Sequence, residues 1–328
     1  MKLSLFSLVP GVRVDEEPDL YEAALARAEL ADELGFHCFW VAEHHARSIS
    51  KMPSPAVFLA AASQRTDRIR LGVAVAVLPM RDPLLLAEDY AMVDRLSRGR
   101  LELGVGSGVS PVEYAALGID SADKSARFAE SLRVLRQAWA GTGGEVRSEG
   151  RTYGDLICGV DLVQCPTPPI WRAAGSAQSA RAAGEEGDSV LFLAAPDLGN
   201  HREIEEMAAA HRRGLEAEGK RSVRAGAAVF TAVAATDEAA EARAANSFDR
   251  MATARGQEPQ GQEVAAAAAA SGRGFIGGPE AMAASLHRLE ELGITDALLW
   301  LDFGGASETE IEESMRILAS EVMPGFPG

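Results

Sequence analysis

Along the chain, short apolar runs rich in Val, Leu and Phe alternate with longer stretches in which apolar residues recur at helical spacing, the pattern of repeated β/α units. The runs at 2–9, 38–42, 68–79, 101–105, 170–174, 189–193, 223–234 and 297–301 predict eight strands. The third, RIRLGVAVAVLP, is apolar almost throughout, as expected of a parallel strand covered on both faces, and Pro79 ends it. Helical period predicts helices over 21–34, 56–64, 83–96, 125–139, 176–183, 198–218, 237–251, 279–292 and 308–322. In the first of these Tyr21, Ala24, Leu25 and Ala28 share a face, and Gly35 stands where a left-handed cap is required. Eight such units without a break in composition predict one closed, eight-stranded parallel β/α barrel of TIM type, a single domain over residues 1–328; a doubly wound pair of open sheets is the alternative.

Two segments stand outside the alternation. Residues 141–168, bounded by GTGG and CPTPP, predict a hairpin insertion. Residues 253–274, TARGQEPQGQEVAAAAAASGRG, predict either a lid-like loop or a plain helix carried by the alanine run.

Composition narrows the functions. With 47% hydrophobic and 24% charged residues there is ample material for a core, which excludes a disordered chain. Acidic residues outnumber basic ones 48 to 32, and a net charge of −16 repels phosphate backbones and anionic lipid, so neither nucleic acid nor a membrane is an expected partner. Cys38, Cys158 and Cys165 are odd in number and lack metal-ligand spacing, which points to a reducing cytoplasm. The opening MKLSLFSLVP is too short to span a membrane, lacks a small-residue cleavage site, and is read as the first strand.

In a β/α barrel the chemistry sits at the C-terminal ends of the strands. After the second strand come Glu43, His44 and His45. Strand alternation places Trp40, Ala42 and His44 on one face and Val41, Glu43 and His45 on the other, so the imidazoles do not act as one unit. The one at the mouth is a candidate proton donor or acceptor, with a hydrogen-bonded structural histidine as the alternative. Zinc is disfavoured, because adjacent histidines do not converge as an i, i+4 pair does. The fourth strand ends in LGVGSGVSP (103–111), where Gly104, Gly106 and Gly108 permit close approach of a ligand or a sharp turn and Ser107 offers a hydroxyl. The dinucleotide fingerprint is absent: Val109 replaces its third glycine, and no helix is predicted to open there. The fifth strand runs into AAGSAQSA (173–180); after Ala174, Gly175 turns the chain and Ser176 opens a helix. Free backbone N–H groups there, with the hydroxyls of Ser176 and Ser179, suit one phosphate, and ordinary capping by Ser176 is the alternative. Together these features suit a phosphorylated planar cofactor.

With LGFHCFWVAEHH (34–45), TDRIRLGVAVAVLPMRDPLLLAEDYAMVDRLSRGRLELGVGSG (66–108), AAGSAQSA and the terminal IGGPEAMAASLHRLEELGITDALLWLDFGG assembled, the chain resembles the bacterial luciferase-like family of flavin-dependent monooxygenases nearly end to end. The resemblance implies a barrel, usually a homodimer, that holds reduced flavin mononucleotide (FMNH2) at the strand C-termini. A separate flavin reductase supplies the FMNH2. Oxygen adds to it to give a hydroperoxide that oxidises a small, largely apolar organic substrate. It assigns catalysis to His44 with Glu43 and His45 as supports, seats the flavin ring on Ala74 and Val75 beside a non-prolyl cis peptide, and lines the rest of the cofactor site with Gly106, Ser107, Ala174, Gly175, Ser176 and Ser179. The sequence departs from luciferase proper where Gly106 and Ser107 stand in place of a reactive cysteine and a phosphate-binding arginine, and where Gly175 replaces a glutamate. The short lid candidate argues against light emission from a long-chain aldehyde. Glu113 matches an acidic position of relatives, as a site contact or a helix cap. Leu8, Pro10, Phe192 and 253–274 are candidate substrate walls. Two alternatives stand beside this reading. One is hydride transfer with the deazaflavin coenzyme F-420, whose branch more often ends the second strand in Asp-His; the other is a non-catalytic flavin-binding protein, against which the retained Glu43-His44-His45 speaks.

Overall fold

The computed structural model describes residues 1–10, 20–46, 50–148, 151–194, 201–220, 223–271 and 275–327. Strands and helices alternate in the order β1 (Lys2–Ser7), α1 (Leu20–Leu34), β2 (Cys38–Val41), α2 (Pro55–Ser63), β3 (Arg70–Val77), α3 (Pro83–Leu96) and β4 (Leu101–Gly106). Then follow α4 (Pro111–Ala116), α5 (Lys124–Ala140), β5 (Val146–Ser148), β6 (Arg151–Tyr153), β7 (Ile170–Ala173), α6 (Ala177–Glu186), β8 (Ser189–Ala194) and α7 (His201–Ala217). The chain ends with β9 (Ala225–Val233), α8 (Asp237–Ala254), α9 (Gly261–Ser271), β10 (Phe275–Gly277), α10 (Pro279–Glu291), β11 (Asp296–Trp300) and α11 (Glu308–Ile317). Strands β1, β2, β3, β4, β7, β8, β9 and β11 pair in parallel around a closed circuit, the β8–β9 pairing completing it, so the fold is the eight-stranded TIM-type barrel read from the sequence.

Alternation along these strands sorts side chains into two cores. Residues such as Leu3, Leu5, Phe39, Val41, Leu71, Val73, Leu103, Val105 and Val229 point outward into the layer shared with the helices. Phe6, Trp40, Trp171, Leu191, Phe230, Leu298 and Trp300 fill the barrel. Gly72 explains part of this packing: the Trp40 indole lies over it, and a Cβ there would collide with the ring.

The N-terminal end of the barrel is closed by charge. The carboxylate of the fully buried Glu102 accepts from Arg70 Nε, from Arg224 Nη1 at 2.7 Å and from Trp171 Nε1 at 2.7 Å. Arg224 also pairs with Asp296 and lies 4.6 Å over the Trp171 ring. Buried charges persist only when paired in this way. Burial and the neighbouring Arg224 push the His37 pKa down to about 4.

Several elements differ from the sequence reading. In the 253–274 segment the plain-helix alternative holds over Gly261–Ser271, helix α9, laid on α8 with Gly261 N donating to Asp249 Oδ1 at 2.6 Å and Ala265 and Ala268 buried, while 255–260 form the loop before it. A run of alanines has high helix propensity and a surface small enough to seat closely on another helix. Residues 272–274 lie outside the described residues, as do 198–200 of the helix expected over 198–218. Short helix α4 opens after the fourth strand, with Ser110 as N-cap and Pro111 in its first turn. Strand β10, three residues paired with the end of β9, was too short for its period to register. In the 141–168 insertion, β5 and β6 pair antiparallel. No helix among the described residues is long and apolar enough to cross a membrane.

Candidate active site

Beyond β2, Ala42 N donates to Ser7 O at 3.1 Å and His44 N to Met52 O at 3.0 Å, and Ala42 joins Trp40 in the inner cluster. His44 Nδ1 lies 2.9 Å from Oε1 of Glu113, whose side chain is 4% exposed against 23% for the imidazole. Helix α4 delivers this carboxylate: the Ser110 hydroxyl accepts from Glu113 N at 3.4 Å, fixing the first turn. The Glu113 side chain thus contacts His44, and the cap of α4 is Ser110 and not Glu113. With Nδ1 tied to a carboxylate, Nε2 is the ring nitrogen outside this contact.

Glu43 and His45 take the opposite face. His45 Nε2 is 2.9 Å from Glu43 Oε1, and Glu43 Oε2 accepts from Val77 N at 3.4 Å, tying the end of β2 to the end of β3. The hydrogen bond to Glu43 raises the His45 pKa against the opposing effect of burial. Behind them Tyr90 is fully buried, and burial together with the nearby Glu43 pushes its hydroxyl pKa well up. Among the described residues no group of three or more His, Cys, Asp or Glu side chains is placed to hold a metal ion.

The peptide bond between Ala74 and Val75 is cis, as the resemblance implied, and it sits where the pairing of β3 with β4 shifts register between Val73 and Ala76. Gly106 meets this pair: a Cβ on it would lie 2.6 Å from Val75 Cγ2 and 3.4 Å from Ala173 Cβ. The neighbour that comes close to this glycine, read from the sequence as a place for a ligand's approach or a sharp turn, is the Val75 side chain. Ser107 is half-buried, and its carbonyl accepts from Tyr114 Oη. Gly108 turns the chain at φ 69°. At α6, Ser176 and Ser179 cap one another reciprocally, each backbone N donating to the other's hydroxyl at 3.2 Å. Gly175 and Ser176 are exposed there, whereas Ala174 is buried in the outer core with its N bonded to Leu191 O, so it is not brought to the mouth.

Of the candidate walls, Leu8 packs on the inner cluster, Pro10 lines a small cleft beside Arg27 and Asp302, and Phe192 turns into the outer core at 1% exposure. Its neighbour Leu193, 50% exposed, takes the inward phase. Sequence reading missed two groups. At the rim, Asp302 accepts from Ser7 Oγ and from Arg27 Nη1, the latter at 2.8 Å. Inside, Trp300 packs at 4.3 Å from Phe230 and 5.6 Å from Phe6. The period-two phase of β1, β9 and β11 would have placed these aromatics on the inner face.

Compared with known proteins, the family model described as luciferase-like monooxygenase matches residues 1–296. The chain is 30% identical to limonene 1,2-monooxygenase of Rhodococcus erythropolis over 98% of its own length and 86% of that protein. It is also 30% identical to F420-dependent glucose-6-phosphate dehydrogenase of Amycolatopsis mediterranei, over 61% of this chain and 60% of that protein. The matched stretch spans only about half the length of other curated relatives, 52% and 50% in two cases. Among solved structures, monooxygenase RslO1 of Streptomyces bottropensis superposes with a TM-score of 0.90 at 27% identity, covering 100% of both chains.

Proposed function

The chain belongs to the luciferase-like monooxygenase family, and on that footing we propose that it is the oxygenase component of a two-component system. It takes FMNH2 from a separate flavin reductase and uses O2 to oxidise a small, largely apolar organic substrate. The observation that carries this reading is the His44–Glu113 pair, 2.9 Å apart, near three adjacent strand ends, those of β3, β4 and β7, that carry small side chains.

The rim fits a phosphorylated planar group. Ala74, Val75, Gly106 and Ala173, none larger than valine, stand at the ends of the neighbouring strands β3, β4 and β7, a small-residue face that would suit a flat ring system. At α6 the exposed Gly175 and Ser176, with Ser179, offer neutral donors to a phosphate at a helix N-terminus. Their hydroxyls already serve the helix cap, and Ser107 supplies no charge, so the phosphate end is held loosely. Loose holding suits a reduced cofactor that arrives from another protein. When bound, FMNH2 supplies the electrons that activate O2.

The chain's own residues position and protonate. Glu113 holds the His44 ring and its tautomer, His44 Nε2 gives or takes one proton at the reacting oxygen, and Glu43 with His45 braces the ends of β2 and β3. The apolar interior excludes water from the reaction. The three free cysteines and the need for a reduced cofactor support a cytoplasmic location. Exposed Val57 on α2 and Leu85, Met92 and Leu96 on neighbouring α3 support a homodimer of this single-domain chain. F420-dependent hydride transfer is the competing reading, since a relative named for it is 30% identical. The test is His44→Ala with supplied FMNH2: retained FMNH2 binding with loss of oxygenated product is expected, and unchanged product formation would remove His44 from the chemistry.

A further inference from the structure

Lys2 opens β1, His37 precedes β2 and Arg70 opens β3, so the N-terminal ends of three neighbouring strands bring three basic side chains together, at the other end of the barrel from His44. They line a cavity of about 540 Å³, whose wall also includes Arg68, Leu3, half-buried Met323 and Phe326. A volume of this order takes a small organic ligand.

The charges on its floor are unequal. Arg70 and Arg224 pair with Glu102, and Arg224 also with Asp296, so Lys2, in register with Asp296, is a third cation beside two carboxylates. The Lys2 ammonium forms no hydrogen bond or ion pair among the described residues. Burial and the nearby Arg224 lower its pKa, the direction that a surplus of positive charge gives. His37 adds a donor without a charge. Its Nε2 lies 2.9 Å from Arg224 Nη2, and a guanidinium only donates, so the ring accepts there and carries its hydrogen on Nδ1. The one carboxylate on the wall, Asp32, is engaged by the backbone N–H groups of Asp67 at 2.6 Å, Arg68 at 3.2 Å and Ile69 at 2.8 Å.

An unpaired ammonium, a neutral N–H donor and apolar side chains in one cavity match a single negative charge carried on an apolar body. We propose that the N-terminal face of the barrel holds a second binding site, separate from the mouth, for an aromatic monocarboxylate. Its carboxylate is received by Lys2 and His37, and its ring rests on Leu3, Met323 and Phe326. A dianionic phosphate is a poorer match, because Arg70 and Arg224 are already paired and one unpaired cation balances one charge.

The test titrates the full chain by calorimetry at neutral pH with 2-naphthoate, with its uncharged analogue 2-naphthamide and with inorganic phosphate. The wild type is expected to prefer 2-naphthoate over the amide, and Lys2→Met, which keeps an apolar stem and removes the charge, to lower that preference about fivefold. In 15N-histidine-labelled wild type, the His37 ring resonances, assigned with His37→Gln, are expected to move with 2-naphthoate, a reading that does not depend on how Lys2→Met folds. A preference unchanged within about twofold in Lys2→Met, unmoved His37 resonances, phosphate binding as tightly as 2-naphthoate, or a wild type that binds no 2-naphthoate would each overturn the inference. Neither FMNH2 nor O2 enters the test, so its outcome is independent of the oxygenase reading.

Discussion

Glu113→Gln retains the shape of the side chain and the cap of α4 while removing the negative charge beside His44. In the native arrangement the 2.9 Å contact joins a nearly buried carboxylate to an imidazole that is 23% exposed on its other side. A hydrogen bond to a charged group contributes about 1.5–3 kcal/mol, and partial exposure of the imidazole favours the lower half of that range, roughly 1.5–2 kcal/mol. The carboxylate does most when His44 carries its proton, so the loss falls on the proton-transfer step more than on cofactor binding. Since 1.4 kcal/mol is tenfold, the turnover of a supplied substrate with excess FMNH2 is expected to fall about 10- to 30-fold. FMNH2 binding should stay within about twofold and the unfolding midpoint should barely move. Glu113→Asp, which withdraws the carboxylate by one methylene, should fall between the two. The assay is product formation in single-turnover mixing, with thermal unfolding as the control. Turnover of Glu113→Gln at the wild-type rate would refute the positioning role, as would a loss matched by an equal loss of stability.

Three further outcomes follow from the packing and the charges. Gly72→Ala places a methyl group against the Trp40 indole and should cost roughly 1–3 kcal/mol in urea unfolding. Ser176→Ala removes one side of the reciprocal cap on α6; a stability loss of about 1 kcal/mol, together with weaker FMNH2 binding, is expected if the same hydroxyl also faces the phosphate. His37 titrates near 6.5 when unfolded and at about 4 when folded, so between these values the unfolded chain binds more protons. Its contribution to stability is fully present above pH 6.5 and is lost as the pH falls toward 4; His37→Gln should flatten that part of the pH–stability curve measured by denaturant unfolding.

How much was legible depended on whether a feature was local in sequence. Each of the eight barrel strands was an apolar run bounded by turn residues, so the barrel followed from period and order alone. Alternation from Trp40 separated His44 from His45, a relation across a few residues, and the resemblance selected His44 as the one at the mouth. Its partner was not assignable in the same way: Glu113 is 69 residues away, and nothing in its surroundings records that α4 aims it at β2. Gly106 shows a different limit, because a glycine marks close approach without naming what approaches, and here the neighbour is Val75. The alanine run at 261–271 carried helix propensity but no amphipathic stripe, so loop and helix stayed level until α8 was seen to receive it. Ala174 was assigned to the cofactor site by the resemblance, although the strand's alternation turns it outward.

The central claim, that this barrel receives FMNH2 and directs its reaction with oxygen, is tested most directly by anaerobic titration with FMNH2 and, in parallel, with reduced F420, followed by rapid mixing with O2. The account predicts saturable binding of FMNH2, little binding of reduced F420, and reoxidation of the bound flavin more slowly than of free FMNH2. Tight binding of reduced F420, with FMNH2 reoxidised at the rate of the free compound, would contradict it.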